Sequence, residues 1–213
     1  RVGLANGILT CSMSLGILLA SFFMTLLYLI LPNKELYLWG WRLPFILGAL
    51  LGIIALIMRQ QLKESPIFIA IHKRRLLEQG IPLLEVWRHY KTLVLIGMGM
   101  NWFLVGMVGI VLLAIPTLLE TYLYLSSSSA SAWQTVGVFC QALGCIYFGY
   151  LTDQKGISAT ALIGAGLTAF LATVFYFGLG TLPTSLLLIT YGLTAFSAGS
   201  GVCLGRLILD FPP

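Results

Sequence analysis

The sequence predicts an all-α protein that crosses a membrane several times, as a polytopic transmembrane helix bundle. Of its 213 residues, 59% are hydrophobic and only 9% are charged, whereas about a quarter of the residues of a soluble domain are charged. Apolar stretches of roughly 20 residues, long enough to cross a hydrocarbon core, recur along the chain. The stretches show no alternation with a period of two. Helices rather than barrel strands are therefore expected, because lipid cannot satisfy an open backbone.

Six spans are predicted, most of them separated by short connections. The first is uncharged over its whole length, and the second is short but preceded by Trp39, Trp41 and Arg42, which suit the membrane interface. The serines at 126–129 predict a flexible polar link before the fourth span. Pro183 lies near the start of the sixth, where its missing N–H is least harmful. The spans cover residues 2–31, 43–58, 92–119, 130–152, 157–180 and 182–205.

The basic residues fall mainly on one side when the spans are threaded alternately through the membrane. By the positive-inside rule that side is cytoplasmic, so both ends of the chain and its longest loop, residues 59–91, are expected inside. The net charge of +5 is therefore interpreted as topology and not as a nucleic-acid-binding surface. Of the twelve lysines and arginines, two lie on the outer side, Lys34 and Arg42. The ten on the inner side are Arg1, Arg59, Lys63, Lys73, Arg74, Arg75, Arg88, Lys91, Lys155 and Arg206.

The long loop has one helix-breaking signal and one ambiguous stretch. Pro66 is expected to end the second helix, since proline cannot continue it. Residues 67–80 mix apolar side chains with basic ones. This pattern is typical both of a short amphipathic helix on an anionic membrane surface and of a solvated basic loop.

Residues that could support enzyme chemistry are scattered. Both histidines, His72 and His89, lie in the long loop, and Ser200 has no intramembrane histidine to activate it. The four cysteines lie inside predicted spans without the paired spacing of a zinc site, and small packing residues are the simpler interpretation. The sequence predicts no enzyme, no metal site and no cofactor. The cysteines are Cys11, Cys140, Cys145 and Cys203.

Several short segments carry a resemblance to a known family. They are WGWRLPF at 39–45, LKESP at 62–66, PLL at 82–84, IPT at 115–117, GYLTDQKG at 149–156 and DFP at 210–212. In order and spacing they resemble helices five to ten of the major facilitator superfamily, closest to its metabolite:proton symporter branch. WGWRLPF resembles the start of helix six, and GYLTDQKG resembles the loop motif between helices eight and nine. Gln154 departs from the arginine usual in that motif, and Ile157 and Ser158 stand where a basic pair is usual.

The resemblance implies a division of the chain. Residues 1–58 correspond to the last two helices of the N-terminal half, 59–91 to the loop between halves, and 92–213 to the first four helices of the C-terminal half. It also implies that the chain is a fragment of a longer protein, in line with a first residue, Arg1, that is not methionine.

The function implied is secondary active transport of a small polar metabolite or osmolyte by alternating access, coupled to protons in the full-length parent. The expected location is the bacterial inner membrane. The expected partners are the solute, protons, the lipid bilayer and the missing helices. The alternative is a non-transporting membrane fragment or a partner subunit of another helix bundle.

Candidates for the solute path are polar side chains that lipid would reject. Gln134, Gly137, Gln141 and Gly144 recur at intervals of three and four, so they share one face of the fourth span. This stripe could form a cavity wall, or it could be a surface for close packing against another helix. The full set of candidates is Asn6, Asn101, Trp102, Gln134, Gln141 and Tyr191.

A separate role is expected for the loop motif residues Gly149, Asp153 and Gly156. Gly149 would allow neighbouring helices to approach, and Gly156 would permit a tight turn. Asp153 could pair with a basic group or accept hydrogen bonds from the N-terminal amides of the next helix. Such a contact could act as a conformational latch, although an ordinary polar turn has the same composition. No Asp, Glu, His, Lys or Arg lies in the middle of a predicted span, so proton-coupling groups are expected on the missing helices.

Overall fold

A computed structural model describes residues 2–61 and 82–203. Within these ranges every regular element is helical, which confirms the all-α class. The helices are α1 (Val2–Ile30), α2 (Asn33–Leu38), α3 (Leu43–Gln61), α4 (Pro82–Gly109), α5 (Ile115–Leu123), α6 (Ser127–Lys155), α7 (Ile157–Gly178) and α8 (Thr184–Ala198). A π-helical turn, Ile110–Ala114, joins α4 to α5, and 3-10 turns occupy Gly40–Arg42 and Gly199–Gly201.

Five helical segments of the described ranges are long and apolar enough to cross a membrane. They are Val2–Ile30, Gly40–Gln61, Val105–Leu123, Ser127–Lys155 and Ile157–Gly178, and each overlaps one of the first five predicted spans. The sixth predicted span corresponds to α8, which has 15 residues and runs on into the 3-10 turn. The end of that span lies outside the described residues, as do Pro66, the stretch 67–80, Arg206 and the segments at 62–66 and 210–212.

Two boundaries differ from the sequence-based expectation. α4 begins at Pro82 rather than at residue 92, although Tyr90 interrupts its helical backbone (φ −124°, ψ 26°). Proline is well tolerated in a first helical turn, where its missing N–H would have no partner. The expected serine link is instead the start of α6, because Ser126 caps the helix by accepting a hydrogen bond from the Ser129 N–H at 3.4 Å.

Helix α6 is the centre of the described bundle. α1 packs along one side of it, and α8 packs on the other side, in contact with both α6 and α7. The apolar core gathers residues of the π turn, α5, α6, α7 and α8. Its buried members are Val111, Leu112, Ile115, Leu119, Val138, Phe175, Leu187, Tyr191, Ala195 and Ala198. α3 contributes no buried residue.

Glycines allow the long contact between α1 and α6. A Cβ atom at Gly7 would lie 2.7 Å from the Cys145 carbonyl oxygen, and one at Gly3 would lie 2.7 Å from that of Gly149. Small residues at these positions let two helix backbones approach closely, which is how helices associate in lipid. The contact holds α1 and α6 antiparallel, with the start of α1 beside the end of α6.

Candidate functional site

Asp153 joins the end of α6 to the start of α1. Its Oδ1 accepts a hydrogen bond from the Gly3 N–H at 2.8 Å, and its Oδ2 accepts one from the Leu4 N–H at 2.9 Å. The first N–H groups of a helix have no partner within the helix, and the helix dipole favours a negative charge beside them. The sequence had suggested a basic group or the N-terminal amides of the next helix as partners of Asp153. The amides belong to α1, however, and not to α7, the next helix in the chain.

The two motif glycines are required for different reasons, one for the close approach of α1 and one for its backbone conformation. At Gly149 a Cβ atom would approach the Gly3 carbonyl oxygen to 2.8 Å, so this residue keeps α1 close enough for Asp153 to reach it. Gly156 connects α6 to α7 with φ of +83°, a left-handed conformation that glycine adopts without steric strain. Its N–H donates to the Thr152 carbonyl at 3.1 Å.

Asn6 is engaged by the protein itself. Its side-chain amide donates to the Val202 carbonyl at 2.9 Å, which ties α1 to the segment that follows α8. Beside this contact, the Thr152 hydroxyl lies 3.0 Å from the Cys203 sulfur and donates to the Phe148 carbonyl. These contacts, with Asp153, make one polar cluster at this end of the bundle.

The small-residue stripe of α6 packs against α8. Gly137 faces the ring and hydroxyl of Tyr191, and Gly144 faces the backbone of Phe196. Gln141 lies between the two glycines along the stripe and is buried. The Gln141 Oε1 and the Tyr191 hydroxyl have no hydrogen-bond partner among the described residues. The stripe is thus a packing surface that contains two unsatisfied polar atoms.

Gln134, at the other end of the stripe, supports the π turn. Its side-chain amide donates to the Leu112 carbonyl at 3.0 Å. In a regular helix that carbonyl would accept from the residue four positions later, but that residue is Pro116, which has no N–H. A side chain from a neighbouring helix replaces the lost donor, which is how membrane helices tolerate proline.

The last two candidates, Asn101 and Trp102, lie apart from the others. Both are exposed on α4, whose main contacts among the described elements are with the π turn that follows it. Gln134 and Gln141 therefore lie on α6, and Tyr191 packs against that helix from α8. Asn6 lies beside Val202. Asn101 and Trp102 lie on an exposed face of α4.

Sequence reasoning missed a polar cavity of about 230 Å³ at the end of the bundle opposite Asp153. The third predicted span stopped at residue 119, one position before Glu120, whereas the helix continues to Leu123. A carboxylate one turn after Pro116 was the available signal. The polar residues lining the cavity are Tyr28, Thr117, Glu120, Ser127, Ser131 and Gln134.

Comparison with known proteins places this geometry in a family. The profile of the "Major Facilitator Superfamily" matches residues 1–213. A "Putative proline/betaine transporter" of Staphylococcus aureus (strain COL) is 31% identical over 180 residues, which cover 82% of this chain and 38% of the relative. A protein of the same name from Staphylococcus haemolyticus (strain JCSC1435) is 29% identical over 182 residues, 85% of this chain and 38% of the relative.

A third relative carries a different name. The "Alpha-ketoglutarate permease" of Escherichia coli (strain K12) is 27% identical over 158 residues, which cover 72% of this chain and 34% of the relative. No solved structure gives a significant match. The chain spans about two fifths of the length of the proline/betaine relatives. Because the family profile covers the entire sequence, and the helices and loop motif agree with it, the chain belongs to the Major Facilitator Superfamily.

Proposed function

We propose that this chain serves secondary active transport of a small polar metabolite or osmolyte, within a longer protein that supplies the other helices of the fold. The Asp153 contact with α1 is the observation that carries the proposal. The names of the relatives, which mention proline, betaine and alpha-ketoglutarate, support a small solute as cargo. Proton coupling is part of the proposal, with the coupling groups on helices outside this chain.

Asp153 acts as a latch between the two halves of the transporter. In the proposed division α1 belongs to the N-terminal half and α6 to the C-terminal half, so the contact crosses between bodies that rock against each other. Each hydrogen bond to a charged group contributes about 1.5–3 kcal/mol. Two such bonds give a few kcal/mol, which is large enough to favour one access state and small enough for solute binding to overcome.

Hydrogen bonds within the protein separate the candidate solute-contacting residues into two groups. Asn6 and Gln134 donate to backbone carbonyls and hold helices in place. The Gln141 Oε1 and the Tyr191 hydroxyl have no partner among the described residues. Gln141 and Tyr191, with Asn101 and Trp102 on the open face of α4, therefore remain the candidates for solute contact.

The orientation proposed from the basic residues places the Asp153 end in the cytoplasm of a bacterial cell, with the protein in its plasma membrane. Arg59 and Lys155 lie near the ends of α3 and α6, and each of these helices runs toward that side in the alternating threading. Lys34 and Arg42 lie at the opposite side.

The experiment is uptake into proteoliposomes that contain the complete carrier, with labelled proline, betaine and 2-oxoglutarate. We expect saturable uptake of at least one solute and a decrease when a protonophore collapses an imposed proton gradient. If none of the solutes enters saturably, transport of this class is contradicted. If the protonophore has no effect, proton coupling is contradicted.

The 213-residue chain alone provides a second arm of this experiment. It should insert, because its spans are apolar and its basic residues fix their direction. It should not transport, because by the family resemblance half of the central cavity wall, formed by helices one and four, is absent from it. Saturable uptake by the chain alone would contradict this part of the proposal.

A further inference from the structure

The cavity of about 230 Å³ lies where α1, α5 and α6 meet, around residues 24–28, 112–120 and 127–134. Six of its eleven lining residues carry a polar side-chain group. Polar side chains within membrane helices are costly and usually mark a path or a binding site. The concentration of polar groups in this cavity therefore calls for a ligand.

Glu120 gives the cavity a negative charge. It lies in α5, within a segment apolar enough to span the membrane, Val105–Leu123. No lysine, arginine or histidine lines the cavity, and no salt bridge joins Glu120 to another residue of the described ranges. Arg42 is bound elsewhere, since its guanidinium donates to the Leu38 carbonyl and lies 4.6 Å from the Trp41 ring centre. Among the described residues this carboxylate therefore has no basic partner, and it is accessible to an external positive charge.

Several neutral groups of the wall offer acceptors to a ligand, because a hydrogen of each is already donated within the protein. The Thr117 hydroxyl donates to the Leu113 carbonyl at 2.8 Å. The Gln134 amide donates to the Leu112 carbonyl at 3.0 Å, which leaves the Gln134 carbonyl oxygen as an acceptor. A hydroxyl has one hydrogen and two lone pairs, so Thr117 can only accept from a ligand in the cavity.

The Ser131 hydroxyl also has a hydrogen-bond partner within the protein. The Thr25 hydroxyl donates its single hydrogen to the Ser21 carbonyl at 3.0 Å. When Thr25 donates there, Ser131 is the donor in the 2.8 Å contact between the Thr25 and Ser131 hydroxyls. Its two lone pairs are then available to a ligand. Acceptor atoms of Thr117, Ser131 and Gln134 beside one carboxylate favour a cation over an anion.

The size and the apolar part of the wall distinguish between kinds of cation. A cavity of about 230 Å³ is several times the share of one water in the liquid, about 30 Å³, so a bare alkali ion would be poorly enclosed. Met24, Leu113 and Pro116 supply apolar surface, and Tyr28 supplies an aromatic ring. Aromatic faces attract ammonium groups through cation–π interactions. These features suit an organic ammonium ion.

We propose that this cavity binds the ammonium group of a small organic cation or zwitterion, with Glu120 as the counter-charge and Tyr28 as the aromatic wall. The site is separate from the Asp153 cluster and from the α6–α8 interface. The proposal concerns binding at equilibrium and depends neither on proton coupling nor on completed transport.

The first test is protection of Glu120 from chemical modification. The purified chain in lipid nanodiscs is treated with a hydrophobic carbodiimide, and the modified carboxylates are located by mass spectrometry. Pyrrolidinium should slow modification of Glu120, whereas cyclopentanol, cyclopentanecarboxylate and sodium at equal concentration should not. Glu35, an exposed carboxylate on α2, is the internal control and should react equally in all conditions. Equal protection of Glu120 by sodium or by cyclopentanol would contradict the proposal.

The second test measures pyrrolidinium binding by calorimetry without a gradient. Glu120→Gln should weaken the affinity about tenfold or more, the equivalent of losing one charged partner, and Tyr28→Leu should weaken it severalfold. Glu35→Gln is the matched control and should bind like the unaltered chain. Circular dichroism checks that each variant keeps its helices. Unchanged binding by a folded Glu120→Gln variant would overturn the proposal, whatever the outcome of the uptake assays.

Discussion

Single polar side chains decide how tightly the described helices are held. Asp153 satisfies two amides of α1, and Gln134 satisfies one carbonyl that Pro116 leaves without its usual donor. Both contacts are partly buried, so the loss of one partner leaves the other without a hydrogen bond that water only partly replaces. Each residue is therefore suited to a substitution that removes one hydrogen-bonding group and little else.

Asp153→Asn tests the latch. The amide keeps the size but loses the charge that the start of α1 favours, so the closed contact should weaken by about 1–3 kcal/mol. In the complete carrier we expect slower transport with equilibrium solute affinity within a few fold of the original. Uptake rates and binding of labelled solute measure the two quantities separately.

Gln154→Ala is the matched control for this variant, because the neighbouring Gln154 side chain donates to the Tyr150 hydroxyl and lies away from α1. Its transport rate should be close to normal. If Asp153→Asn instead lowered affinity and rate equally, the loop would belong to the solute site.

Gln134→Leu and Tyr191→Phe should have different effects on stability. The first leaves the Leu112 carbonyl without the donor from α6, and should lower the free energy of unfolding by about 1–3 kcal/mol. The second removes a hydroxyl that has no partner among the described residues, and should leave stability unchanged or slightly increased. Thermal unfolding in detergent measures both. A strongly destabilised Tyr191→Phe would show that the hydroxyl has a structural partner.

At the scale of the helices, the α1–α6 interface depends on an absence of side chains. Gly7→Ala would bring a methyl group to 2.7 Å from the Cys145 carbonyl oxygen, and a backbone atom cannot rotate away. We expect a loss of about 1–3 kcal/mol, typical of overpacking, together with separation of the start of α1 from Asp153. Thermal unfolding of the purified chain measures the loss.

Gly16→Ala on the same helix is the control, because a Cβ atom there meets nothing within 4 Å. It should be neutral or stabilising by up to about 1 kcal/mol, since alanine is the better helix former. Equal destabilisation by the two substitutions would show that α1 does not pack on α6 as described.

Sequence patterns predicted the helices more fully than their contacts. Apolar length is a local property, so the first five spans were found with errors mainly at their ends, as at Pro82 and Ser127. The partner of Asp153 is α1, about 150 residues away along the chain, and no local pattern identifies it. The sequence analysis did not include Glu120 among the candidate residues, because an apolar stretch is taken to end at the first charged residue. The helix itself continues past that residue to Leu123. The roles of the candidate solute residues remain predictions.

At the scale of the whole molecule, the ten-to-two distribution of basic residues predicts which end of the bundle faces the cytoplasm. Single cysteines at Tyr124 and at Lys155, in a background where the four native cysteines are alanine, would report it. Both positions are exposed. An impermeant thiol reagent should label only the Tyr124→Cys variant in intact cells, and both variants after lysis. Labelling of Lys155→Cys in intact cells would reverse the orientation.

The π turn between α4 and α5 makes the length of this part of the chain significant. A π turn holds about one residue more than an α turn, and each residue of an α-helix advances about 100° around the axis. Deleting one residue from Ile110–Ala114 and relaxing the turn to ordinary helix would therefore nearly preserve the orientation of α5. Converting the turn to α-helix with all its residues kept would instead rotate α5 relative to α4 by about that angle. Glu120 would leave the cavity it lines while the apolar composition of the span hardly changed. The π form of the turn, more than the identity of its residues, therefore keeps Glu120 directed at the cavity.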